Sequence, residues 1–123
     1  MTGARHDVDM PAYGLAHLRT PQLNADVFEY LRRIQATMDP YGGRFLVHGP
    51  TVEVREGTWP GTVVIVEFPN LAAARDWYDS PGYREILPLR TNHIDGDVIL
   101  VDGVVPGYDA AHTADQLEAA AQR

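Results

Sequence analysis

Charged side chains on predicted strands are the first candidates for chemistry in this sequence. Glu67 lies near the end of the apolar run Thr62–Phe68, and Arg44 begins a shorter β-like run. A carboxylate removed from water holds its proton more tightly, which would suit Glu67 to act as a general base near neutral pH. The alternative is a Glu67–Arg44 ion pair that fixes a turn or an interface. We favour this alternative because structural ion pairs also shift the pKa values of carboxyl groups.

Arg90 is a candidate for anion binding. It follows an apolar stretch and precedes Asn92, His93 and Asp95. A guanidinium can hold a carboxylate through two parallel hydrogen bonds, so Arg90 and Arg44 are predicted to bind an anionic substrate. Equally, Arg90 could cap the carbonyls of the second helical region or pair with Asp95.

His93 is the second predicted proton carrier, beside Glu67. A histidine oriented by a carboxylate can move protons near neutral pH, and His93 with Asp95 and His48 could form such a group. The alternative is an exposed loop histidine. The spacing of His93 and Asp95 matches no known metal motif and cysteine is absent, so no metal site is predicted.

Four aromatic residues form a further group: Trp59, Trp77, Tyr78 and Tyr83. Such residues are more often core or interface anchors than a ligand cage, but the Tyr78 hydroxyl could orient a substrate oxygen. The sequence has no Gly-x-Ser-x-Gly, no Gly-x-Gly-x-x-Gly and no Walker pattern, so we expect neither a serine nucleophile of that type nor a nucleotide cofactor. No cofactor is predicted.

The elements that must position these residues follow from periodicity and capping. Strands are expected where apolar residues alternate or run together, and helices where they recur every three to four residues behind a capping residue. The expected helix 1 has the apolar stripe Val27, Leu31, Ile34 and Met38, and strand parity places Arg44 and His48 on one face. The predicted elements are a strand at Ala12–Thr20, a helix from Asn24 to Asp39, strands at Arg44–His48, Thr51–Arg55 and Thr62–Phe68, helices from Asn70 to Asp79 and from Ser80 to Pro88, a strand at Asp97–Asp102 and a helix at Ala110–Arg123.

This order predicts an α+β domain of the ferredoxin-like βαββαβ kind, with both helical regions on one face of an antiparallel sheet. The other face should then be exposed to water, so polar residues should alternate with apolar ones along each strand. Val63–Val66 and Val98–Val101 show no such alternation. We therefore predict that a second copy of the chain covers that face, giving a homodimer.

Composition narrows the function classes. The 123-residue chain carries 10 basic and 17 acidic residues, for a net charge of −7, which argues against a nucleic-acid partner. No apolar run approaches the roughly 20 residues that span a bilayer, and Met1–Met10 is too polar for a signal peptide, so no membrane partner is predicted and a cytoplasmic location is expected.

Several ordered motifs resemble the DUF1330 family. They are Tyr41-Gly42-Gly43-Arg44, Glu56-Gly57 with Trp59, Glu67-Phe68-Pro69, Trp77-Tyr78-Asp79-Ser80-Pro81 with Tyr83, Leu87-Pro88-Leu89-Arg90 and Asp95-Gly96-Asp97. The resemblance implies a dimeric α+β barrel in which two ferredoxin-like subunits press their sheets together, and it implies no established activity. The sequence departs from the family pattern at two places that bear on pocket shape. Gly14 stands where a bulky aromatic is common in the family, and the segment before helix 1, Arg19–Leu23, is longer than in the family.

The expected organisation is a flexible N-terminal tail over residues 1–11, the domain over 12–104 and a helical C-terminal extension over 105–123. Neighbouring dimeric α+β barrels include cofactor-free monooxygenases, isomerases and cyclases, although fold does not fix function. Two hypotheses follow. The protein binds a small, partly apolar, anionic metabolite in a cleft between sheet and helices and processes it by acid–base chemistry without a cofactor, or it is a non-catalytic binding or accessory protein.

Overall fold

The computed structural model describes residues 10–122, so most of the predicted N-terminal tail lies outside the described residues. Four strands and four α-helices make up this part of the chain. In order they are β1 Ala12–Arg19, α1 Ala25–Met38 followed by a 3₁₀ turn at Asp39–Tyr41, β2 Arg44–His48, β3 Thr62–Phe68, α2 Leu71–Asp79, α3 Pro81–Thr91, β4 Asp95–Asp102 and α4 Ala110–Ala121.

Side-chain caps fix the starts of the three helices that cover the sheet. The side chain of Asn24 accepts a hydrogen bond from the Val27 amide at 3.1 Å, and Asn70 accepts one from the Ala73 amide at 2.8 Å. Ser80 accepts from the Tyr83 amide in the same way, with proline at the first helical position. All three predicted caps are confirmed.

The four strands form one antiparallel sheet in the order β2-β3-β1-β4, which is the predicted ferredoxin-like arrangement. Strand β1 is central and alternates in character. Its small or apolar residues Ala12, Gly14, Ala16 and Leu18 point towards the helices, and Tyr13, Leu15, His17 and Arg19 point away. We call the first side of the sheet the covered face and the second the open face.

The core lies between the covered face and helices α1, α2 and α3. Its largest fully buried side chains are Tyr83, Phe68, Met38 and Ile86. The predicted stripe of α1 lacks Tyr30, which is buried at 6% exposure, whereas its member Leu31 faces the same side but is 41% exposed. Spacing alone allows either residue, since both lie within one turn of Val27 and Ile34.

Strand β2 contains an irregularity that changes which side chains share a face. Arg44 lies opposite Glu67 and Phe45 opposite Val66, but after a register shift Val47 lies opposite Ile65 and His48 opposite Val64. A bulge of this kind adds one residue to one strand and reverses the parity beyond it. Arg44 therefore belongs to the open face and His48 to the covered face, so the prediction that they share a face is wrong.

Other boundaries also differ from expectation. Thr51–Arg55 forms no strand, α3 continues through Pro88 to Thr91, and β4 begins at Asp95 rather than Asp97. Pro88 cannot donate a helical hydrogen bond, but Ile86 and Arg90 on either side of it are both buried, so tertiary packing favours continuing the helix. The extra turn places Arg90 on a helix facing the core, where the sequence predicted a loop.

Helix α4 lies apart from this core. Between Ala110 and Ala121 every residue except the half-buried Thr113 is exposed, and Leu117 is 66% exposed. Over residues 10–122, every helix is too short or too polar to traverse a lipid bilayer.

Candidate ligand-binding cleft

A cavity of about 90 Å³ opens between the covered face and the helices. Its floor is the central strand, where Gly14 and Ala16 leave space above the sheet. Large apolar and aromatic side chains make its walls, and two basic residues also line it. The residues from β2 and β3 are Phe45, His48, Val64 and Val66, those from the helices are Val27, Tyr30, Leu31, Ile34, Trp77, Tyr83 and Arg90, and Leu18, Ile94 and Val98 complete the lining.

The absence of a side chain at Gly14 is required for this packing. A Cβ atom built there would lie 2.9 Å from Cγ2 of Val66 and 3.4 Å from Cδ2 of Leu100. The first distance is too short for two carbon atoms, so a larger residue would displace Val66. The small residues of β1 are therefore one cause of the hollow above the sheet.

Arg90 is buried against this cavity with uncharged partners. Its exposed fraction is only 6%. Its Nε donates to the Tyr30 hydroxyl at 3.3 Å, and its Cζ lies 5.6 Å from the centre of the Tyr30 ring. The hydroxyls of Tyr30 and Tyr83 are hydrogen-bonded to each other at 2.7 Å. We call these three residues the Arg90 cluster.

No carboxylate within residues 10–122 forms an ion pair with Arg90. A buried charge normally has an ionic partner, because removing an ion from water without one is strongly unfavourable. The guanidinium carries five N–H donors in a planar fork, and tyrosine oxygens occupy only part of it. The cluster therefore offers more donors than acceptors, which suits a bound oxyanion.

Tyr30 stays protonated and can donate to such an anion. Burial is the main reason that the pKa of Tyr30 lies far above its ordinary value, and the neighbouring Tyr83 raises it further. For Arg90, burial acts to lower the pKa, but the oxygens of Tyr30 and Tyr83 outweigh it and the net pKa is raised. The cluster is therefore a cation beside two hydroxyl groups.

A second, polar pocket of about 330 Å³ adjoins the cavity and shares Arg90, Ile94 and Val98 with it. Tyr78 also lines this pocket, so the structure brings two of the predicted binding residues, Tyr78 and Arg90, to one site. The Tyr78 ring lies 5.3 Å from the Tyr83 ring. The pocket is completed by Thr91, Asp95 and Gly96.

Arg44 and Glu67 lie on the other side of the sheet. They form the ion pair that the sequence analysis favoured, with Arg44 Nε and Nη2 both 2.8 Å from Glu67 Oε1. The Arg44 side chain is 69% exposed and that of Glu67 is 22% exposed. Neither lines the cavity beside Arg90, so the five predicted site residues do not form one constellation.

His93 is oriented by a carboxylate, but not by the predicted one. Its Nε2 lies 3.0 Å from Oδ2 of Asp26, at the start of α1, whereas Asp95 accepts a hydrogen bond from the Thr20 hydroxyl. The predicted grouping of His93 with Asp95 and His48 is therefore wrong. His93 and Asp26 are adjacent in sequence to Ile94 and Val27, which do line the cavity.

Sequence reasoning missed the place of Tyr30 and of His48. Tyr30 could have been found from its spacing in α1, three residues after Val27 and four before Ile34. His48 could not, because its face depends on the bulge in β2. Trp59 separates from the other predicted aromatics and stacks on His17 with ring centres 4.1 Å apart. Within residues 10–122, no three histidine or acidic side chains are grouped as a metal site would require.

Solved structures support the fold assignment. A protein of unknown function from Rhodopseudomonas palustris matches with a TM-score of 0.61 and 22% identity, over 80% of this chain and 85% of that one. SnoaB, a cofactor-independent oxygenase from Streptomyces nogalater, matches with a TM-score of 0.55 and 14% identity, over 81% and 99% of the two chains. A dimeric ferredoxin-like protein of unknown function from Thermobifida fusca also has a TM-score of 0.55, with 13% identity over 77% and 92%.

At these identities the likeness concerns the fold alone. A comparison with proteins of curated function gave no match. The sequence model of DUF1330, a domain of unknown function, matches residues 11–104, which include every strand and the three helices that pack on the sheet. This protein belongs to the DUF1330 family.

Proposed function

We propose that this protein binds a small, partly apolar, anionic metabolite in the cleft above the covered face. The observation that carries the proposal is Arg90, which is 6% exposed at the wall of an apolar cavity and has tyrosine hydroxyls rather than a carboxylate as its partners within residues 10–122. An anion bound there would supply the missing charge. The apolar part of the ligand would lie against Val64, Ile34 and Trp77.

Arg90 binds the anion in this proposal, and Tyr78 orients an oxygen that projects into the polar pocket. His93, held by Asp26 beside the cavity, is a candidate base. Arg44 and Glu67 belong to the open face, where a second subunit would remove Glu67 from water. Their proposed roles as anion-binding residue and base therefore apply to a ligand at the subunit interface.

The proposal includes a homodimer formed through the open face. Leu15, Ile65 and Ile99 lie side by side there, in register on three neighbouring strands, and Ile99 is 54% exposed. Exposed apolar surface of this kind is typical of an interface. The dimeric Thermobifida fusca protein of the same fold supports self-association.

Ile99→Asp tests the dimer, because it would place a carboxylate at the centre of the interface. We expect sedimentation velocity at micromolar concentration to give a dimer for the unchanged protein and a folded monomer for the variant. Arg75→Gln on the exposed side of α2 is the control and should stay dimeric. A monomeric unchanged protein would refute this part of the proposal.

Turnover remains a separate part of the proposal. The similar fold of SnoaB, a cofactor-independent oxygenase, supports an enzyme that needs no cofactor, and the alternative is a binding protein that converts nothing. Whether the cleft binds an anion is tested by calorimetry. Short aliphatic carboxylates should bind, their amides should not, and Arg90→Gln should weaken carboxylate binding by about 100-fold or more, as expected for removing a buried charged partner.

Arg75→Gln is again the matched control. It removes one positive charge, as Arg90→Gln does, but from an exposed arginine that does not line the cleft. Equal affinity for acids and amides, or unchanged affinity in Arg90→Gln, would refute an anion site at Arg90. Binding without any change in the ligand after long incubation would favour the non-catalytic alternative.

A further inference from the structure

We propose that His48 transfers the proton in this cleft, and that the ligand is a short 2-oxo acid whose keto and enol forms the protein interconverts. This inference rests on the proposed function, because it needs the carboxylate to be held by Arg90. It adds a residue that the sequence placed on the wrong face, and a chemical class for the ligand.

The bulge in β2 is the first argument. Without it, His48 would share the open face with Arg44; with it, His48 lies opposite Val64 and lines the cavity. Bulges are frequent beside active sites, where they redirect a side chain. Among the residues that line the cavity, His48 is the only one of a type that gains or loses a proton near neutral pH.

The register of the sheet is the second argument. His48 lies opposite Val64, Val64 opposite Ala16, and Ala16 opposite Val98, so the four residues form one row across the covered face. The row spans three strand spacings, about 14 Å of backbone. Val98 borders Arg90 in both pockets. His48 therefore lies at the β2 end of the row and Arg90 lines the cavity beside its β4 end, so a short ligand would lie in the cavity between the two side chains.

The size of the cavity sets the length of that ligand. At about 90 Å³ it is smaller than the engineered cavity of about 150 Å³ that holds benzene. A chain of a few carbon atoms would fill this apolar part of the site. The small floor residue Ala16 lies in the middle of the row, below the expected position of this chain.

The reaction needs no oxidant, metal or second substrate. The His48 imidazole takes a proton from C3 of the 2-oxo acid, the C–H electron pair forms the C2–C3 double bond, and the carbonyl electrons move to the C2 oxygen, giving the enolate. The C2 oxygen takes up a proton from water to give the enol, and the imidazolium releases its proton to water. Return of the proton to C3 restores the keto form. Because the carbonyl is adjacent to the carboxylate, the oxygen that gains charge lies beside the donors of the Arg90 cluster.

One of those donors is unoccupied within residues 10–122. The Tyr30 and Tyr83 hydroxyls have two hydrogens and share one mutual hydrogen bond, while Tyr30 accepts from Arg90. The remaining hydroxyl hydrogen can point at the developing oxyanion. A hydroxyl group held in this buried cluster is suited to that role.

The test is exchange of the C3 hydrogens of 2-oxobutanoate in D₂O, followed by proton NMR, together with calorimetric binding of the same acid. The unchanged protein should exchange these hydrogens faster than buffer does. His48→Gln should lower the protein-dependent rate by about 100-fold or more, in line with the usual contribution of a general base, while the affinity is retained. Circular dichroism checks the fold, which the exposed position of His48 should preserve.

His112→Gln on α4 is the matched control and should exchange at the unchanged rate. Exchange at the unchanged rate in His48→Gln, or binding of 2-oxobutanoate without exchange by the unchanged protein, would overturn this inference and leave the proposed binding function intact. Loss of exchange in His93→Gln with retention in His48→Gln would assign the proton to the other histidine. Failure of every short carboxylate to bind would overturn both proposals.

Discussion

The two faces of the four-stranded sheet differ in which side chains they bury and which they expose. On the covered face, three helices bury Phe68, Ile86 and Tyr83 almost completely, yet they leave a hollow above Gly14 and Ala16. On the open face, apolar residues such as Ile99 remain exposed, and charged residues lie at the ends of the strands.

The two faces also differ in the partners and the exposure of their arginine side chains. Arg44 on the open face has a carboxylate partner and is largely in water, so its pairing needs no further explanation. Arg90 on the covered side is buried and has only neutral partners within residues 10–122. A sheet face with paired charges and exposed apolar residues suits a protein partner, whereas a hollow with an unpaired buried cation suits a small ligand.

Matched isoleucine substitutions should give the largest contrast between the faces. Ile86→Ala removes a side chain that is 0% exposed and should lower the free energy of unfolding by about 2–5 kcal/mol, because it creates a cavity. Ile99→Ala removes one that is 54% exposed and should change monomer stability by no more than about 0.5 kcal/mol. Urea denaturation at low protein concentration measures both, and equal losses would contradict the contrast.

Removing the buried cation should separate stability from binding. Without ligand, Arg90→Met should be as stable as the unchanged protein or more stable, by up to about 2 kcal/mol, because an apolar side chain replaces an unpaired buried charge. Arg44→Met serves as the comparison on the open face. A large loss of stability in Arg90→Met would mean that the guanidinium is a structural element rather than a ligand-binding one.

Alkaline pH should destabilise the covered side through Tyr30. Its pKa is raised in the folded protein above the ordinary value of 10.0, chiefly by burial. The unfolded chain therefore loses this proton first, so stability is full below pH 10 and falls above it by about 1.4 kcal/mol per pH unit. Urea denaturation from pH 9 to 11 measures the slope. Tyr30→Phe should lack this contribution, and an equal slope in that variant would refute it.

The open-face ion pair should give the smallest effect. The Arg44 side chain is 69% exposed, so water screens its interaction with Glu67. A double-mutant cycle with Arg44→Gln and Glu67→Gln should yield a coupling of about 0–1 kcal/mol in the monomer. A distinctly larger coupling in the dimer would indicate that a second subunit removes the pair from water.

Local sequence chemistry predicted the parts of this fold that depend on local interactions. The caps at Asn24, Asn70 and Ser80 follow from residues three positions apart, and β3 was predicted with its observed bounds. The order of elements then left few arrangements of the sheet. The Glu67–Arg44 pair also followed, because the two residues lie on consecutive strands that pair with each other.

The parts that failed depend on contacts between distant segments. Proline at position 88 predicted the end of a helix, but burial of Ile86 and Arg90 extends it. The bulge that turns His48 towards the cavity depends on pairing between β2 and β3 and has no local sequence mark. His93 lies two residues from Asp95, yet it pairs with Asp26, which is 67 positions away in the sequence. The sequence therefore pointed to Tyr78 and Arg90, which line one pocket, but not to the assembly around them.

The floor of the cleft is supplied by a different element from the one that carries Arg90. Gly14 and Ala16 are on β1, whereas Arg90 and the tyrosines are on helices. Ligand capacity and anion recognition can therefore vary independently. A relative with a bulky aromatic at the position of Gly14 would fill this space while keeping its arginine, so members of the family could share one recognition group and still accept molecules of different size.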